Sequence, residues 1–374
     1  MSKKCYNLMF NSNQYQLHNK KYIKETTMKL SKNTKIKLMT ILALSLTVVG
    51  CANEEKPNED SNAQIEQENQ QGYPMTIKHA FGETVIKEKP ENVASIGWAN
   101  QDTALALGVV PVGFSEATFG PVSEDGLNPW TQEKFSELTD EKPVVYKDAT
   151  GVIDFEAISN SNPDVILAGY HGFTEEDYKL LSEIAPVIAY PELAWGTPWR
   201  EQILINSKGM GMEEEGEAYV KELEALIENK KAEYPEIKDV TGAFIWVDSS
   251  DLSSFYLYTP KDTRAGYLTD LGIEFPKELA DKVSKDAFFE TISAENVDLL
   301  NDLDILVTYG DEKSLEAMQN DPMFSTIPAV KNGAVALIDE TSNIAGAATP
   351  GALSIPAVID EYLQLLSEAI ANVK

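Results

Sequence analysis

The strongest constraint on the fold is a change of period in the middle of the chain. Residues 212–234 carry Tyr219, Leu223, Leu226 and Ile227 at helical spacing with Glu and Lys on the opposite face, which predicts one long amphipathic helix. At about 1.5 Å per residue it would span roughly 33 Å, and Pro235 would stop it. On either side, short apolar runs alternate with amphipathic segments. Periodicity alone allows a surface helix inside one domain, but its place between two α/β-like halves favours a bridge between them.

In the first half, residues 75–81 and 83–86 read as a hairpin about Gly82. Strands are expected at 93–96, 109–114, 163–168 and 187–190, helices at 102–107, 154–159 and 174–184, and a long loop from Ser115 to Lys142. The second half repeats the pattern, with strands at 242–247, 252–258, 304–309 and 334–338 and helices at 264–271, 293–300 and 355–370. Strands alternating with helices predict an α/β fold of two lobes, each a mainly parallel sheet flanked by helices. In such sheets ligands sit beyond the carboxyl ends of the strands, so two facing lobes make a cleft.

The first fifty residues differ from the rest. The apolar run from Leu38 to Val49, preceded by Lys32, Lys35 and Lys37, fits a secretory signal with its start at Met28, and Cys5 lies before that start. Val48-Val49-Gly50-Cys51 resembles a bacterial lipobox, which implies lipidation and acylation of Cys51 and attachment to the outer face of the cell membrane. A stray thiol in an ordinary signal is the alternative. Residues 52–72 are polar and acidic and read as a disordered tether with a reach of roughly 25 Å. The expected divisions are thus 1–50 signal, 51–72 anchor and tether, 73–196 first lobe, 197–235 linker with the bridging helix, and 236–374 second lobe. No cysteine follows Cys51, so the folded part must stand on core packing alone.

Of the 31 basic residues nine precede Cys51, and of the 60 acidic ones only Glu25 does, so the remainder carries 22 against 59, a net −37. That charge makes nucleic acid and anionic lipid poor partners. The sequence has no GxxxxGK, GxGxxG, GxSxG or CxxC motif, and its histidines are His18, His79 and His171 only. Both facts argue against an enzyme and against a histidine-rich metal site.

What remains is aromatic. Trp98, Phe119, Tyr170 with His171, Trp195 with Trp199, and Tyr256 with Tyr258 fall at expected strand ends, where broad apolar faces with polar tips suit a bulky organic ligand. Trp246, within an apolar strand, reads as core. There are two arginines. Arg264 enters a helix from a loop and could grip a carboxylate or a metal-bound oxygen, whereas Arg200, at a helix start, reads as structural.

The residues 97–113, Asn162-Pro-Asp-Val-Ile-Leu167, Ile184-Ala-Pro-Val187, Thr197-Pro-Trp-Arg-Glu201, Ile292-Ser-Ala-Glu295 and Ile327-Pro-Ala-Val-Lys-Asn-Gly333 resemble the iron–siderophore substrate-binding lipoproteins of ABC importers, over about residues 75–366. These belong with the vitamin B12-binding protein to the class whose lobes are joined by one rigid helix. The resemblance implies a monomer that binds a ferric siderophore in an interlobe cleft, with small closure, and delivers it to the transmembrane subunits of an ABC permease. It implies no cofactor and no protein metal ligand, because the siderophore supplies the six oxygens that iron(III) wants. Trp98, Tyr170, His171, Trp195, Tyr258 and Arg264 are the ligand-binding candidates. Tyr170 matches a ligand-contacting tyrosine of hydroxamate-binding members, while Thr150 stands where they often place an arginine, which leaves hydroxamate, catecholate and citrate types open. Glu175 and Glu295 match the permease-docking glutamates, with Glu176 able to replace Glu175; first-turn acids also stabilise a helix dipole whatever their function. A haem or cobalamin carrier, or a surface adhesin, is the alternative.

Overall fold

The computed structural model describes residues 72–148 and 152–373. The signal, tether, Cys51 and Thr150 lie outside the described residues.

Strands β1 (Met75–His79) and β2 (Gly82–Ile86) form an antiparallel hairpin in register from Met75 with Ile86 to His79 with Gly82. The first large sheet contains β3 (Val93–Ser95), β4 (Gly113–Ser115), β5 (Val145–Tyr146), β6 (Val165–Ala168) and β7 (Val187–Ala189), in the order β5-β4-β3-β6-β7 with every pair parallel. Helices α1 (Asn100–Ala106), α2 (Pro129–Leu138), α3 (Phe155–Asn160) and α4 (Glu175–Ser182) make the crossovers. The chain runs outward from β3 to β5 and then returns to place β6 and β7 on the other flank. The order therefore reverses between β3 and β6, and the crevice beyond their carboxyl ends is where such a sheet binds ligands.

Helix α2 lies within the expected loop 115–142. Asn128 precedes Pro129 at the first helical position, where a missing N–H costs nothing. Its buried Trp130 and Phe135 are five residues apart with polar residues between, too sparse to register as a period. The expected strand 109–114 shortens to Gly113–Ser115, and β5 was not expected.

Helices α5 (Trp199–Gly209) and α6 (Glu213–Lys231) lead to the second sheet. There β8 (Val240–Asp248), β9 (Asp251–Tyr258), β10 (Ile273–Glu274), β11 (Phe289–Ser293), β12 (Ile305–Tyr309) and β13 (Val335–Ile338) take the order β11-β9-β8-β12-β13, with β10 beside the start of β8. β10, β8, β12 and β13 pair in parallel, but β9 and β11 pair antiparallel. Only Ser249 and Ser250 connect β8 to β9, a hairpin link too short for a crossover helix. Helices α7 (Thr263–Asp270), α8 (Lys277–Ala280), α9 (Glu312–Asn320), α10 (Pro328–Asn332), α11 (Asn343–Ala347) and α12 (Ser354–Ile370) complete the lobe. Residues 294–300, expected to be α-helical, are 3₁₀ with a break at Asn296.

Helix α6 is shorter than expected, 19 residues and about 28 Å, because its last turn gives way to a 3₁₀ turn begun by Pro235. It buries Gly216, Val220, Leu223 and Ile227 and exposes its acidic face. At one end it meets α5, which packs on β6 and β7; a Cβ on Gly216 would lie 1.9 Å from Ser207 Oγ, so the two helices touch nearly backbone to backbone. Toward the other lobe, Tyr219 Oη donates to Ala352 O at 2.9 Å and Lys230 Nζ pairs with Asp360 of α12 at 2.7 Å. A single hydrophobic cluster runs from Leu105, Phe114 and Phe135 through Trp199 and Ile203 to Phe244, Leu257 and Tyr362. The two lobes joined by α6 therefore share part of their core.

Candidate ligand-binding site

Two segments leave the first sheet at its reversal point, residues 97–99 after β3 and 169–171 after β6. Asn100, fully buried, ties them together. Its Nδ2 donates to Ile96 O and Tyr170 O at 2.7 and 3.0 Å, and its Oδ1 accepts from Tyr170 N, Asn206 Nδ2 and Gln202 Nε2 at 3.0, 2.9 and 3.2 Å. Gln202 Nε2 also donates to Trp98 O at 2.8 Å, so α5 sets the height of the Trp98 loop.

Tyr170, His171 and Trp195 form one aromatic stack. The Tyr170 ring meets Trp195 edge-on at 5.3 Å, and His171 lies between Trp195 at 5.4 Å and Phe173 at 4.8 Å. Trp195 adopts φ 58°, a left-handed conformation that a bulky residue rarely takes; its N–H donates to His171 O at 3.1 Å. Gly172 leaves the room, since a Cβ there would stand 1.9 Å from Trp195 Nε1. His171 Nδ1 accepts from the N–H groups of Gly172 and Phe173 at 2.7 and 2.8 Å. Burial pushes its pKa down to about 4, only partly opposed by Asp177, so the ring is neutral at pH 7 with its proton on Nε2.

The opposing wall comes from the second lobe. Arg264 clamps Asp262 through Nε at 2.8 Å and one terminal nitrogen at 2.7 Å, and lies 4.0 Å over the Tyr258 ring. Asp262 and Tyr258 are buried completely. Tyr258 thus backs Arg264 rather than lining the crevice, which differs from its expected place. Among the contacts between the walls, Tyr170 Oη lies 3.2 Å from Thr263 Oγ1, Trp98 Nε1 donates to Thr349 O at 3.4 Å, and Phe119 packs edge-on against Tyr309 at 5.2 Å.

Trp98, Tyr170, His171 and Trp195 therefore come together, with Arg264 facing them behind Thr263. Arg200 braces the lobes, binding Glu224 of α6 at 2.6 Å and Asp270 of α7 at 2.9 Å while Trp199 Nε1 donates to the same Asp270 at 2.8 Å. Glu175 and Glu295 are exposed, each in a first turn behind Thr174 or Ser293. Glu175 pairs with Lys179 at 2.7 Å. Sequence reasoning missed Asn100, Thr263, Tyr309 and Thr349. Of these only Asn100, an amide beside glycine and tryptophan between strand and helix, carried a local signal. Among the described residues no cluster of three His, Cys, Asp or Glu could hold a metal, and no helix is long and apolar enough to cross a membrane.

The family model described as periplasmic binding protein matches residues 93–341, about two thirds of the chain. The chain is similar to PiaA of Streptococcus pneumoniae TIGR4, solved in complex with ferrichrome, at 50% identity and a TM-score of 0.77 over 80% of this chain and 99% of that one. Two relatives from Bacillus subtilis strain 168 are more distant. The Fe(3+)-citrate-binding protein YfmC is 22% identical over 82% of this chain and 90% of its own length, and the iron(3+)-hydroxamate-binding protein YxeB is 21% identical over 71% and 77%. Two lobes joined by a helix, an aromatic crevice at the reversal point and these similarities lead to one conclusion: the chain belongs to the periplasmic binding protein family, whose members bind substrates for transport and are not enzymes.

Proposed function

We propose that this protein is the substrate-binding component of an ABC iron importer and captures a ferric siderophore between its lobes. The observation that carries this is the meeting of Trp98, Tyr170 and Phe119 with Thr349, Thr263 and Tyr309, a set of aromatic faces and hydroxyls suited to an organic shell around iron. Similarity to PiaA, solved with ferrichrome, points to a complex of that type. Arg264 spends its charge on Asp262 and Arg200 on Asp270 and Glu224, which favours ligands without net negative charge over citrate types. The neutral, doubly engaged His171 counts against axial ligation of haem.

Cys51, lipidated, anchors the monomer to the outer face of the membrane, with residues 52–72 as tether. Glu175 and Glu295 dock on the permease. Because α6 is clasped by both lobes, they part by a limited opening rather than a wide swing. Titrating residues 52–374 with ferrichrome-type, catecholate and citrate complexes while following tryptophan emission tests the binding. Saturable quenching by the first supports the account, and quenching by none overturns it. Glu175→Ala with Glu295→Ala should bind normally but abolish uptake by cells; normal uptake refutes the docking assignment.

A further inference from the structure

A small polar cavity lies beside the crevice, lined by Trp98, Gln101, Asp102 and Trp130 of the first lobe and by Gly346 and Ser354 of the second. It has room for about one water-sized group. Asp102 is buried to 1% exposure. Its carboxylate accepts only from neutral donors, Trp130 Nε1 at 3.2 Å and Thr131 Oγ1 at 2.8 Å. A carboxylate offers about four acceptor positions, so two remain for another partner. Gln101, 8% exposed, lines the same cavity, and its Oε1 is buried without a donor. The nearby Glu116 is already paired with Lys147 at 2.8 Å.

A buried carboxylate with no cation and a buried carbonyl with no donor are each costly on their own. One ammonium group would satisfy both. Glu116, also in the lining, is paired with Lys147, and among the described residues no three acids, histidines or cysteines gather to hold a metal, whereas indole walls suit an organic cation. A primary ammonium group is close to water in size and fits that room. Trp98 bounds both the cavity and the contact with Thr349, so an arm of a ligand held in the crevice can reach it.

We propose that this cavity is a subsite for a primary ammonium group carried on the ligand, with Asp102 as counter-ion and Gln101 Oε1 as second acceptor. The proposal rests on the ferric-siderophore function above and adds to it a preference, among the complexes bound, for those that carry a free amine. The test compares two iron complexes of one linear trihydroxamate, with its terminal amine free and with that amine acetylated, by tryptophan emission on the intact mature chain. The free-amine complex should bind about tenfold more tightly or better. Asp102→Asn should bring that ratio close to one, and Gln101→Leu should reduce it. Equal affinities in the wild type would overturn the subsite, leaving a cavity for water only and the siderophore function intact. A preference that survives Asp102→Asn would overturn the role of Asp102. Binding of neither complex, in a chain that binds other ferric siderophores, would overturn the subsite alone; binding of no ferric siderophore would remove the function beneath it.

Discussion

The hydroxyls of Tyr170 and Thr263 lie 3.2 Å apart, 93 residues apart in sequence, and this contact joins the crevice walls of the two lobes. A ligand entering between the walls must part it. Thr263→Val keeps the shape and removes the bond, a change of about 1 kcal/mol. Stopped-flow mixing should show ligand association several-fold faster than in the wild type. An unchanged rate would mean that this contact does not limit entry.

Asn100 makes five hydrogen bonds from a fully buried side chain and is the clasp of both crevice loops. Asn100→Leu leaves Gln202 and Asn206 with amide donors facing carbon and frees two carbonyls. Denaturant unfolding should show a loss of about 3 kcal/mol or more. Ligand affinity should fall with it, since Trp98 and Tyr170 lose their common anchor.

Arg264→Ala would do more than remove a candidate ligand contact, because it would strand Asp262, whose side chain is 0% exposed. Loss of one partner of a buried pair costs about 3–5 kcal/mol. Adding Asp262→Asn should recover much of the stability, and only that double variant measures what Arg264 contributes to binding.

Burial pushes the Asp102 carboxyl up to about 7, against the lowering effect of its bonds to Thr131 and Trp130. The folded chain therefore holds a proton that the unfolded chain releases near 3.8. Between about pH 4 and 7 this residue makes stability fall as pH rises, by about 1.4 kcal/mol per unit. Glu116 lines the same cavity, and besides burial the charge of Asp102 in turn raises the Tyr219 hydroxyl. The unfolding free energy of the wild type minus that of Asp102→Asn should decline across that window. His171, whose depressed pKa acts in the opposite sense, cancels in the difference.

The two sheets, the helix between them and the aromatic crevice were legible because their signals are local. Val165–Ala168 and Ile305–Val307 are continuous apolar runs that a doubly covered strand explains, and Tyr170 and Trp98 sit beside glycines at strand ends. What was not legible depends on distant partners. Thr263 and Thr349 are ordinary residues until the lobes bring them against Tyr170 and Trp98. Trp130 and Asp102, 28 apart in sequence, mean little until α2 packs beside α1. The burial of Tyr258 beneath Arg264 depends on Asp262 drawing the guanidinium inward.

The central claim is that ligand enters by separating the lobes, and a reversible lock tests it most directly. A Cβ placed on Gly351 would stand 2.8 Å from Ala99 Cβ, across the lobe junction; widening by about 1 Å suits a disulfide. No cysteine follows Cys51, so residues 52–374 carry none to compete. Ala99→Cys with Gly351→Cys should bind no ferric siderophore when oxidised and regain wild-type affinity when reduced. Equal affinity in the two states would contradict the account.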